Sequence, residues 1–445
     1  MNKIWENIKP YENILILGFG KEGQSTYSYI RLNDEDRKIT IADKNSEIRN
    51  YKICEGDNNL DFILGDNYLE NLEDFDLIIK APGLPLRAEL ISKFGDKLTS
   101  QADLFLREYS SQTIGITGSK GKSTTTTFIH HFLTLSNVDA LLVGNIGLPP
   151  FDVEGRIKES TVIVYELSSH MLQGVRTSPH IAVLLNIFKE HLDYYKDMDS
   201  YTLAKAQIFV HQKSDDILIM SDDKGALELV NKYSPKSHII NWDSIPEKDF
   251  LFVPQAFAEI PNPIRGDHIK HNLIFGAVAA CYMGADSALL LLAFDTFESL
   301  PHRLQILGEF NGITFVNDSI STIPEATLAA LTAYPETNIL IVGGQYRNVP
   351  FDNLVEKLSQ MPDLFIFCID QSGKIIFDAL HNIREDSIHY KYFENLELAT
   401  EACFETLGDM GGTVVLSPAA ASFTQFKNFE ERGEAFLEYI RKFSV

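Results

Sequence analysis

The feature that most constrains the fold of this chain is the segment TGSKGKST at positions 117–124. It follows a run of apolar and β-branched residues at 113–117 and leads into a helical pattern that begins at Lys122. A glycine loop that passes from a buried strand into a helix points backbone N–H groups and the helix N-terminus at one spot, which suits phosphate oxygens. The segment therefore predicts a parallel α/β fold with a phosphate site after one of its strands.

The residue types in this loop indicate a nucleotide triphosphate. Lys122 can reach the β- and γ-phosphates, and Ser123 can ligate Mg²⁺. The common pattern has glycine where this chain has Ile116, so the loop is a shortened variant, TGxxGKS. A glycine turn with an incidental lysine explains the strand–loop–helix context less well than an ATP site does. The residues predicted to bind ATP here are Gly118, Ser119, Lys120, Gly121, Lys122, Ser123 and Thr124.

A second glycine motif, GFGKEG at 18–23, follows a short apolar run near the N-terminus. Asp43 stands about where a ribose-binding acid would fall in a dinucleotide-binding unit. Taken alone the motif suggests NAD, but a dehydrogenase would not need a second phosphate loop. The same geometry can hold the pyrophosphate of UDP, while a structural turn remains an alternative for any single glycine. We therefore predict a UDP site that includes Gly18, Gly20 and Asp43.

Strand-like runs alternate with helical patterns along the whole chain, which predicts parallel sheets covered by helices. The runs fall into three groups separated near residues 98 and 300. The sequence thus predicts three α/β domains, at 1–98, 99–300 and 301–445. The predicted strands are 13–17, 38–42, 77–80, 113–117, 162–166, 181–186, 314–317, 339–342, 364–368 and 413–416.

Charge and cysteine content narrow the function classes. The formal net charge of -23 argues against a general nucleic-acid binder, which needs a surplus of Lys and Arg. The four cysteines lie far apart and lack CxxC spacing, as expected of free thiols in a reducing compartment. The apolar stretch at 277–294 is interrupted by Asp286 and is short for a membrane span. We expect a cytoplasmic protein without membrane insertion.

Three further residues are candidates for metal chemistry. Glu166 ends the predicted strand 162–166, where enzymes with a phosphate loop often carry an acidic Mg²⁺ ligand. His191 and Lys205 follow in LNIFKEHLDYY and YTLAKAQIF. On local chemistry alone, a lone histidine or lysine is more often a satisfied surface or core residue than a metal ligand, and the spacing of these two does not change that.

A set of motifs in a fixed order extends this picture over almost the whole chain. Together they resemble the Mur ligases, in particular the glutamate-adding branch of that family. The matching motifs are GFGKEGQS, APG at 81–83, TGSKGKST, GNIGLP at 144–149, ELSS at 166–169, LNIFKEHLDYY, AK at 204–205, KHN at 270–272, LPHR at 300–303, NDS at 317–319 and SPAAASFTQFKNFEERG at 417–433.

The resemblance implies a three-domain enzyme that binds a UDP-linked substrate, ATP and an amino acid in that order along the chain. It implies ATP-dependent addition of glutamate to UDP-N-acetylmuramoyl-L-alanine through an acyl phosphate, in peptidoglycan synthesis. D-glutamate is the expected amino acid, and L-glutamate is the alternative. Another Mur ligase or a folylpolyglutamate synthase is a further alternative. Two motifs argue against both, GFGKEGQS and FKNFEERG. The resemblance implies no obligate protein partner.

The resemblance also assigns roles to single residues. Lys122, His191 and Lys205 are expected to be catalytic, with Lys205 carboxylated to a carbamate. Two Mg²⁺ ions are expected, with ligands among Ser123, Glu166, His191 and Lys205. The other expected contacts are Asn272, Arg303 and Asp318 for the nucleotide, Gly83, Asn145 and Ser168 for the UDP-linked substrate, and Thr322, Arg347, Ser422, Phe423 and Phe429 for the amino acid.

Two positions depart from the glutamate-adding pattern. Ile320 stands where the pattern has a lysine that contacts the amino acid, and Arg347 stands in place of another lysine. Arg347 can still bind a carboxylate through two parallel hydrogen bonds. The changes leave the ligase chemistry intact and bear on how the amino acid is held. A regulatory protein without catalysis would be expected to lack one of Glu166, His191 or Lys205, and all three are present.

Overall fold

A computed structural model shows three sheets with helices in their connections. The structure describes residues 2–84, 88–188, 194–245, 260, 267–298, 300–347, 349–383 and 389–444, and at 88–90, 267 and 268 the backbone alone. The chain divides into two compact units, residues 1–260 with 268–297 and residues 261–267 with 298–445. The first two sheets belong to the first unit and the third sheet to the second.

Short apolar strands build the first sheet. Its elements are α1 (Lys3–Ile8), β1 (Ile14–Leu17), α2 (Lys21–Asn33), β2 (Ile39–Asp43), β3 (Leu60–Leu64), β4 (Leu77–Lys80), α3 (Ala88–Phe94), β5 (Leu98–Ser100) and α4 (Gln101–Tyr109). The strands run parallel in the order β3-β2-β1-β4-β5. The central strand β1 is buried throughout, because a parallel strand covered on both faces requires a continuous apolar run such as ILIL.

The second sheet carries the phosphate loop. Its elements are β6 (Thr113–Thr117), α5 (Lys122–Leu135), β7 (Ala140–Gly144), α6 (Pro150–Val153), β8 (Val162–Glu166), α7 (Ser169–Leu172), β9 (Ile181–Leu184), α8 (Met198–Ala206), β10 (Ile217–Met220), α9 (Lys224–Tyr233), β11 (His238–Ile240), α10 (Asp267–Tyr282) and α11 (Leu290–Thr296). All pairings are parallel, in the order β11-β10-β9-β6-β8-β7. Since β6 lies between β8 and β9, the segments that follow these three strands meet at one edge of the sheet.

The third sheet forms the core of the second unit. Its elements are β12 (Gln305–Phe310), β13 (Ile313–Asn317), α12 (Pro324–Ala333), β14 (Thr337–Gly343), α13 (Asp352–Ser359), β15 (Phe365–Ile369), α14 (Asp370–Ile383), β16 (Tyr390–Phe393), α15 (Leu396–Leu407), β17 (Gly412–Leu416) and α16 (Phe429–Phe443). The order is β12-β13-β17-β14-β15-β16. Among the described pairs of strands, only β12–β13 is antiparallel, because the two-residue turn Asn311-Gly312, with φ of +52° and +76°, returns the chain directly.

A buried carboxylate joins the two sheets of the first unit. Glu154, which follows α6, accepts hydrogen bonds from the Ile4 backbone N–H at 2.8 Å and from the Tyr109 hydroxyl at 3.0 Å. It also accepts from the hydroxyl of Tyr29 on α2. Burial and the bond to Glu154 raise the pKa of both tyrosines, so both remain donors at neutral pH. Glu154, from a connection of the second sheet, is thereby hydrogen-bonded to α1, α2 and α4.

The ten predicted strands are confirmed, with ends that shift by at most two residues. The strands that the sequence did not predict include β3, β11 and β16, which lie at sheet edges and are partly exposed, so their apolar pattern is weak. The expectation of parallel strands was wrong for β12. The domain boundaries near 98 and 300 stay predictions. Among the described helices, none is long and apolar enough to cross a membrane.

Candidate active site

The loop between β6 and α5 depends on two glycines for its shape. Gly118 has a φ of +155° and Gly121 a φ of +87°, a region that favours glycine. A Cβ on Gly121 would lie 2.4 Å from the side-chain nitrogen of Asn272 on α10. The Lys122 ammonium donates to the carbonyl oxygens of Gly118 and Ser119, at 2.9 and 3.0 Å. Lys122 therefore bends back over the loop at the N-terminus of α5, where bound phosphate is favoured.

The segment after β9 forms hydrogen bonds to this loop. Asn186 accepts the backbone N–H of Ser119 through its main-chain oxygen and that of Lys120 through its side chain, both at 2.7 Å. Its side-chain nitrogen donates to the Lys120 carbonyl at 3.0 Å. In this structure the N–H groups of Ser119 and Lys120 thus hold the loop in shape, and their contact with ATP stays a prediction.

Lys205 lies beneath the same loop. Its side chain on α8 is buried, and its ammonium donates to the Gly118 carbonyl at 2.7 Å. The ammonium also lies 5.0 Å from the ring centroid of Tyr201, whose hydroxyl is 2.8 Å from the Ser119 hydroxyl. Two lysines therefore contact one loop carbonyl. The contact of Lys205 with the phosphate loop is one that the sequence spacing could not show.

Glu166 meets the physical requirements of a Mg²⁺ ligand. It is fully buried at the end of β8, in register with Ile116 of β6. One carboxylate oxygen accepts from the Asn145 amide at 2.6 Å, and the other has no hydrogen-bond partner in the described part of the chain. A buried carboxylate oxygen without a donor is costly, and a hard cation would satisfy it. Ser123, on the first turn of α5, is the second ligand that the structure can offer.

The second predicted metal ligand, His191, lies outside the described residues. Within the described residues, no three His, Cys, Asp or Glu side chains are grouped to hold a metal. A Mg²⁺ ion that accompanies ATP usually takes one or two carboxylates and completes its shell with phosphate oxygens and water. The described residues fit that pattern through Glu166 and Ser123.

A pocket of about 550 Å³ opens where strands of both sheets in the first unit end. Its walls follow β1, β2, β4, β7 and β8, which is the edge where open parallel sheets bind ligands. All six residues predicted in this unit for the UDP-linked substrate line it: Gly18, Gly20, Asp43, Gly83, Asn145 and Ser168.

The glycine motif at this pocket has both structural and open positions. A Cβ on Gly23 would lie 2.2 Å from the Gly18 carbonyl oxygen, so Gly23 permits close packing of α2 on the turn. Gly20, by contrast, would place a Cβ with nothing within 4 Å and faces the pocket. Asp43 accepts the Phe19 backbone N–H at 2.7 Å, which fixes the turn.

Sequence reasoning missed several residues of this pocket. Lys44, Tyr68 and His170 line it, and Glu22 does as well. Lys44 directly follows Asp43 and could have been inferred from that neighbour. Tyr68 and His170 come from connections after other strands, where no local pattern marks them. A buried lysine, Lys80, ends β4 nearby, and its burial lowers its pKa to about 8 while the charge of Glu22 opposes the shift.

The predicted nucleotide contacts are distributed over both units. Asn272 packs over Gly121 in the first unit. Asp318 in the second unit is buried and accepts from the Leu304 N–H at 3.2 Å and the Ser417 hydroxyl at 2.8 Å. Burial raises the pKa of Asp318 to about 6, although its hydrogen bonds and the charge of Arg303 oppose that shift. A nucleotide contact of these residues stays a prediction.

In the second unit, the ends of β14 and β17 bring together three of the predicted amino-acid contacts. The Gln345 N–H donates to the Ala421 carbonyl at 2.8 Å, which joins the two segments. The Arg347 guanidinium lies 5.0 Å from the ring centroid of Phe423, and that ring is 53% exposed. Ser422, which directly precedes Phe423 in the sequence, is buried. Arg347 and Phe423 thus form an exposed cation–aromatic pair that a carboxylate from solution can approach.

A buried arginine, not predicted as a site residue, supports this region. Arg432 on α16 donates to the Ser319 hydroxyl at 3.0 Å and the Ser319 and Ala420 carbonyls at 2.7 and 3.0 Å. Its burial lowers its pKa to about 9. Phe429 begins the same helix, and its carbonyl accepts from Ser319 at 2.8 Å. Thr322, three residues after Ser319, is exposed.

The fold and the loop geometry define a class: an α/β protein in which a phosphate loop and a pocket both follow strands of its parallel sheets. Residues 116–280 match the Mur ligase middle domain. UDP-N-acetylmuramoylalanine--D-glutamate ligase of Acetivibrio thermocellus is 31% identical, covering 99% of this chain and 98% of the relative. The ligase of the same name from Geobacillus kaustophilus is 32% identical, over 97% of this chain and 98% of the relative. The solved UDP-N-acetylmuramate-alanine ligase of Thermotoga maritima superposes with a TM-score of 0.54 at 16% identity, over 97% and 99% of the two chains.

The identity to the glutamate ligases extends over nearly the full length of both chains, so the chain belongs to the Mur ligase family. Within that family it groups with the UDP-N-acetylmuramoylalanine--D-glutamate ligases. It is an ATP-dependent ligase. The resemblance inferred from the motifs is thereby confirmed, and the solved structure supports the three-sheet fold.

Proposed function

We propose that the chain joins D-glutamate to the alanine carboxylate of UDP-N-acetylmuramoyl-L-alanine, with cleavage of ATP to ADP and phosphate. The full-length relatives, which are D-glutamate ligases by name, support this assignment. ATP and UDP-linked sugars are compounds of the cytoplasm, where we place the reaction. The domains predicted at 1–98, 99–300 and 301–445 would bind the UDP-linked substrate, ATP and the amino acid.

The observation that carries the proposal is the position of Asn145 between two sites. Asn145 lines the pocket and donates to Glu166 at 2.6 Å. Glu166 is in register with Ile116 of the strand that leads into the phosphate loop. A substrate carboxylate at this end of the pocket would approach the ATP phosphates, which is the proximity that phosphoryl transfer to a carboxylate needs.

The reaction proceeds in two steps. A carboxylate oxygen of the substrate attacks the γ-phosphorus, the bond from that phosphorus to the β–γ bridging oxygen breaks, and ADP leaves. The deprotonated amine of glutamate then attacks the acyl carbon, and inorganic phosphate leaves with the former carboxylate oxygen. The amine nitrogen loses a further proton as the amide forms. The acyl phosphate replaces a poor leaving group with a good one, which divides a difficult step into two easier ones.

The protein contributes positioning and charge. Lys122 would hold the β- and γ-phosphates from the N-terminus of α5. Mg²⁺, held by Glu166 and Ser123, would neutralise phosphate charge when bound, and His191 is proposed as a ligand of a second ion. We also propose a carbamate on Lys205. Carboxylation would convert this cation beside the phosphate loop into an anion able to ligate Mg²⁺.

Arg347, Ser422 and Phe423 are proposed to bind glutamate. One carboxylate would meet the Arg347 guanidinium, because a carboxylate that leaves water needs a cation or several donors. Ile320 supplies no such cation, and its backbone N–H donates to the His302 carbonyl at 3.1 Å. The second carboxylate must therefore find donors elsewhere, among which Thr322, Phe429 and the loop at Ser422 are the candidates.

ADP release measured with UDP-N-acetylmuramoyl-L-alanine tests the proposal. D-glutamate, L-glutamate and no amino acid are compared, and mass spectrometry identifies the product. We expect full turnover with D-glutamate and an added mass of one glutamyl residue. Turnover with the L form alone would contradict the assigned enantiomer. Absence of turnover with either form, together with turnover on a folate acceptor or on UDP-N-acetylmuramate, would contradict the assigned substrate.

A further inference from the structure

We infer that Tyr194 is a positioning residue for the UDP-linked substrate, because it holds the pocket loop at 81–84 in its binding shape. Residues 81–84 form one wall of the pocket, whereas Tyr194 itself lies behind that wall. The inference rests on the proposed function, since it concerns the affinity of the pocket for its substrate.

The Tyr194 hydroxyl contacts the main chain of this loop directly. It lies 2.8 Å from the Leu84 carbonyl oxygen and 3.1 Å from the Pro82 carbonyl oxygen. The side-chain oxygen of Gln173 lies 3.1 Å away. One hydroxyl hydrogen can serve only one acceptor fully, so the shortest contact, to Leu84, is the main bond. Both loop carbonyls are thereby drawn toward a single point.

Lys80 adds a second attachment to the same point. Its ammonium lies 3.4 Å from the Tyr194 hydroxyl and 3.5 Å from the Pro82 carbonyl oxygen. Lys80 is 4% exposed and ends β4, immediately before the loop. The hydroxyl can accept from this ammonium while it donates to Leu84. Lys80 thus favours the orientation in which the Tyr194 hydrogen faces the loop.

Burial keeps Tyr194 in its donor form. It raises the pKa of the phenol well above its usual value, so the hydroxyl is protonated at neutral pH. A phenolate could only accept, and it would repel the two loop carbonyls. The phenol is therefore a donor to the loop at neutral pH.

Tyr194 also supports a second wall of the pocket. Its ring lies edge-on to His170 at a centroid distance of 4.1 Å, and His170 lines the pocket. The loop at 81–84 follows a strand of the first sheet, while His170 lies on α7 of the second. Tyr194 comes from the connection between β9 and α8. One side chain therefore contacts two walls of the pocket that follow strands of different sheets.

Binding of UDP-N-acetylmuramoyl-L-alanine, measured by calorimetry without ATP, tests the inference on the full-length protein. Tyr194→Phe removes only the hydroxyl, and we expect roughly three- to tenfold weaker binding, as for the loss of one or two buried hydrogen bonds. Binding of MgATP should remain unchanged. Lys80→Met should likewise weaken binding of the UDP-linked substrate and leave binding of MgATP unchanged. Tyr233→Phe is the matched control, because Tyr233 lies on α9 and does not line the pocket, and its affinity for the substrate should be unchanged.

The outcomes separate this inference from the proposed function. If the wild type binds the substrate and Tyr194→Phe binds it equally well, the inference is wrong and the proposed function stands. If the wild type does not bind the substrate, both are wrong. Equal weakening of substrate and MgATP binding in Tyr194→Phe would show a general structural role and would overturn the inference. In turnover assays we expect an increased KM for the UDP-linked substrate with kcat retained at saturation.

Discussion

The phosphate loop of the first unit and the Arg347 region of the second unit hold their side chains in opposite ways. Around the loop, Lys205, Ser119 and Glu166 are almost fully buried and bonded to main-chain or side-chain groups. In the second unit, Arg347 and Phe423 are exposed and in contact with each other, and Arg347 also donates to the Gln345 side chain at 3.3 Å. Both regions nevertheless use glycines at which a Cβ would lie closer than van der Waals contact, to the Asn272 side chain at Gly121 and to the Ala421 carbonyl oxygen at Gly344.

The difference reflects the chemistry expected at each place. Transfer of a phosphoryl group needs fixed charges that require no reorganisation as the reaction proceeds. An incoming amino acid must enter and then be held, so exposed groups that become ordered on binding are adequate. Five substitutions test this comparison.

Lys122→Ala should have the largest effect. It removes the cation over the phosphate loop, and we expect a loss of ADP formation on the order of 1,000-fold, with binding of the UDP-linked substrate retained. ADP release and substrate calorimetry measure the two quantities. Lys224→Ala, an exposed lysine of the same unit, is the control and should be unaffected. Near-normal turnover of Lys122→Ala would remove the loop from the mechanism.

Lys205→Ala should lose on the order of 100-fold in turnover, because it removes a buried group in contact with the loop. If Lys205 acts as a carbamate, acetate added to the assay should restore part of the activity by supplying an anion. Acetate should not restore Lys122→Ala, which is the matched control. Rescue by a small amine instead of an acid would contradict the carbamate.

Arg347→Ala tests the exposed region. We expect the KM for glutamate to increase roughly 10- to 100-fold, because a charge-assisted bond to a carboxylate is lost. Formation of the acyl phosphate should survive, since the first step does not involve glutamate. Trapping the acyl phosphate by reduction measures that step separately. Unchanged glutamate kinetics would show that the carboxylate binds elsewhere.

Gly121→Ala tests whether the loop backbone is as constrained as its side chains. Alanine at this position would have to adopt a left-handed backbone conformation. Its Cβ would lie 2.4 Å from the side-chain nitrogen of Asn272, which would have to move away. We expect roughly tenfold weaker binding of MgATP from about 1–2 kcal/mol of strain. Gly155→Ala, whose Cβ would meet nothing within 4 Å, should bind MgATP normally. Equal affinities of the two variants would weaken the contrast between the regions.

Phe423→Ala should have the smallest effect. The ring is exposed and contributes mainly its stacking with Arg347, which is about 0.5–1 kcal/mol at such sites. We expect a roughly two- to fivefold increase in the KM for glutamate and unchanged ATP binding. A loss as large as that of Arg347→Ala would show that the ring contacts the amino acid itself.

The sequence by itself determined the phosphate loop, the glycine turn at the first sheet and ten of the strands. These features are local: the loop follows its strand directly, and a buried parallel strand needs only a continuous apolar run such as the one at 14–17. The resemblance to a family then added residues such as Asn145, which indeed lines the pocket. Of the candidate site, the part that the sequence predicted well is therefore the part built from contiguous residues and recurring motifs.

Only the tertiary structure decided which distant residues share a site. His170 and Tyr68 face the same pocket, Tyr194 reaches a loop more than a hundred positions earlier, and Arg432 contacts Ser319 from the last helix. Each of these contacts depends on strand order and on crossovers between sheets. A single aromatic or charged residue carries no local pattern that reports its neighbour in space. Burial, which changes the pKa of Lys80 and Arg432, likewise arises only when separate elements pack together.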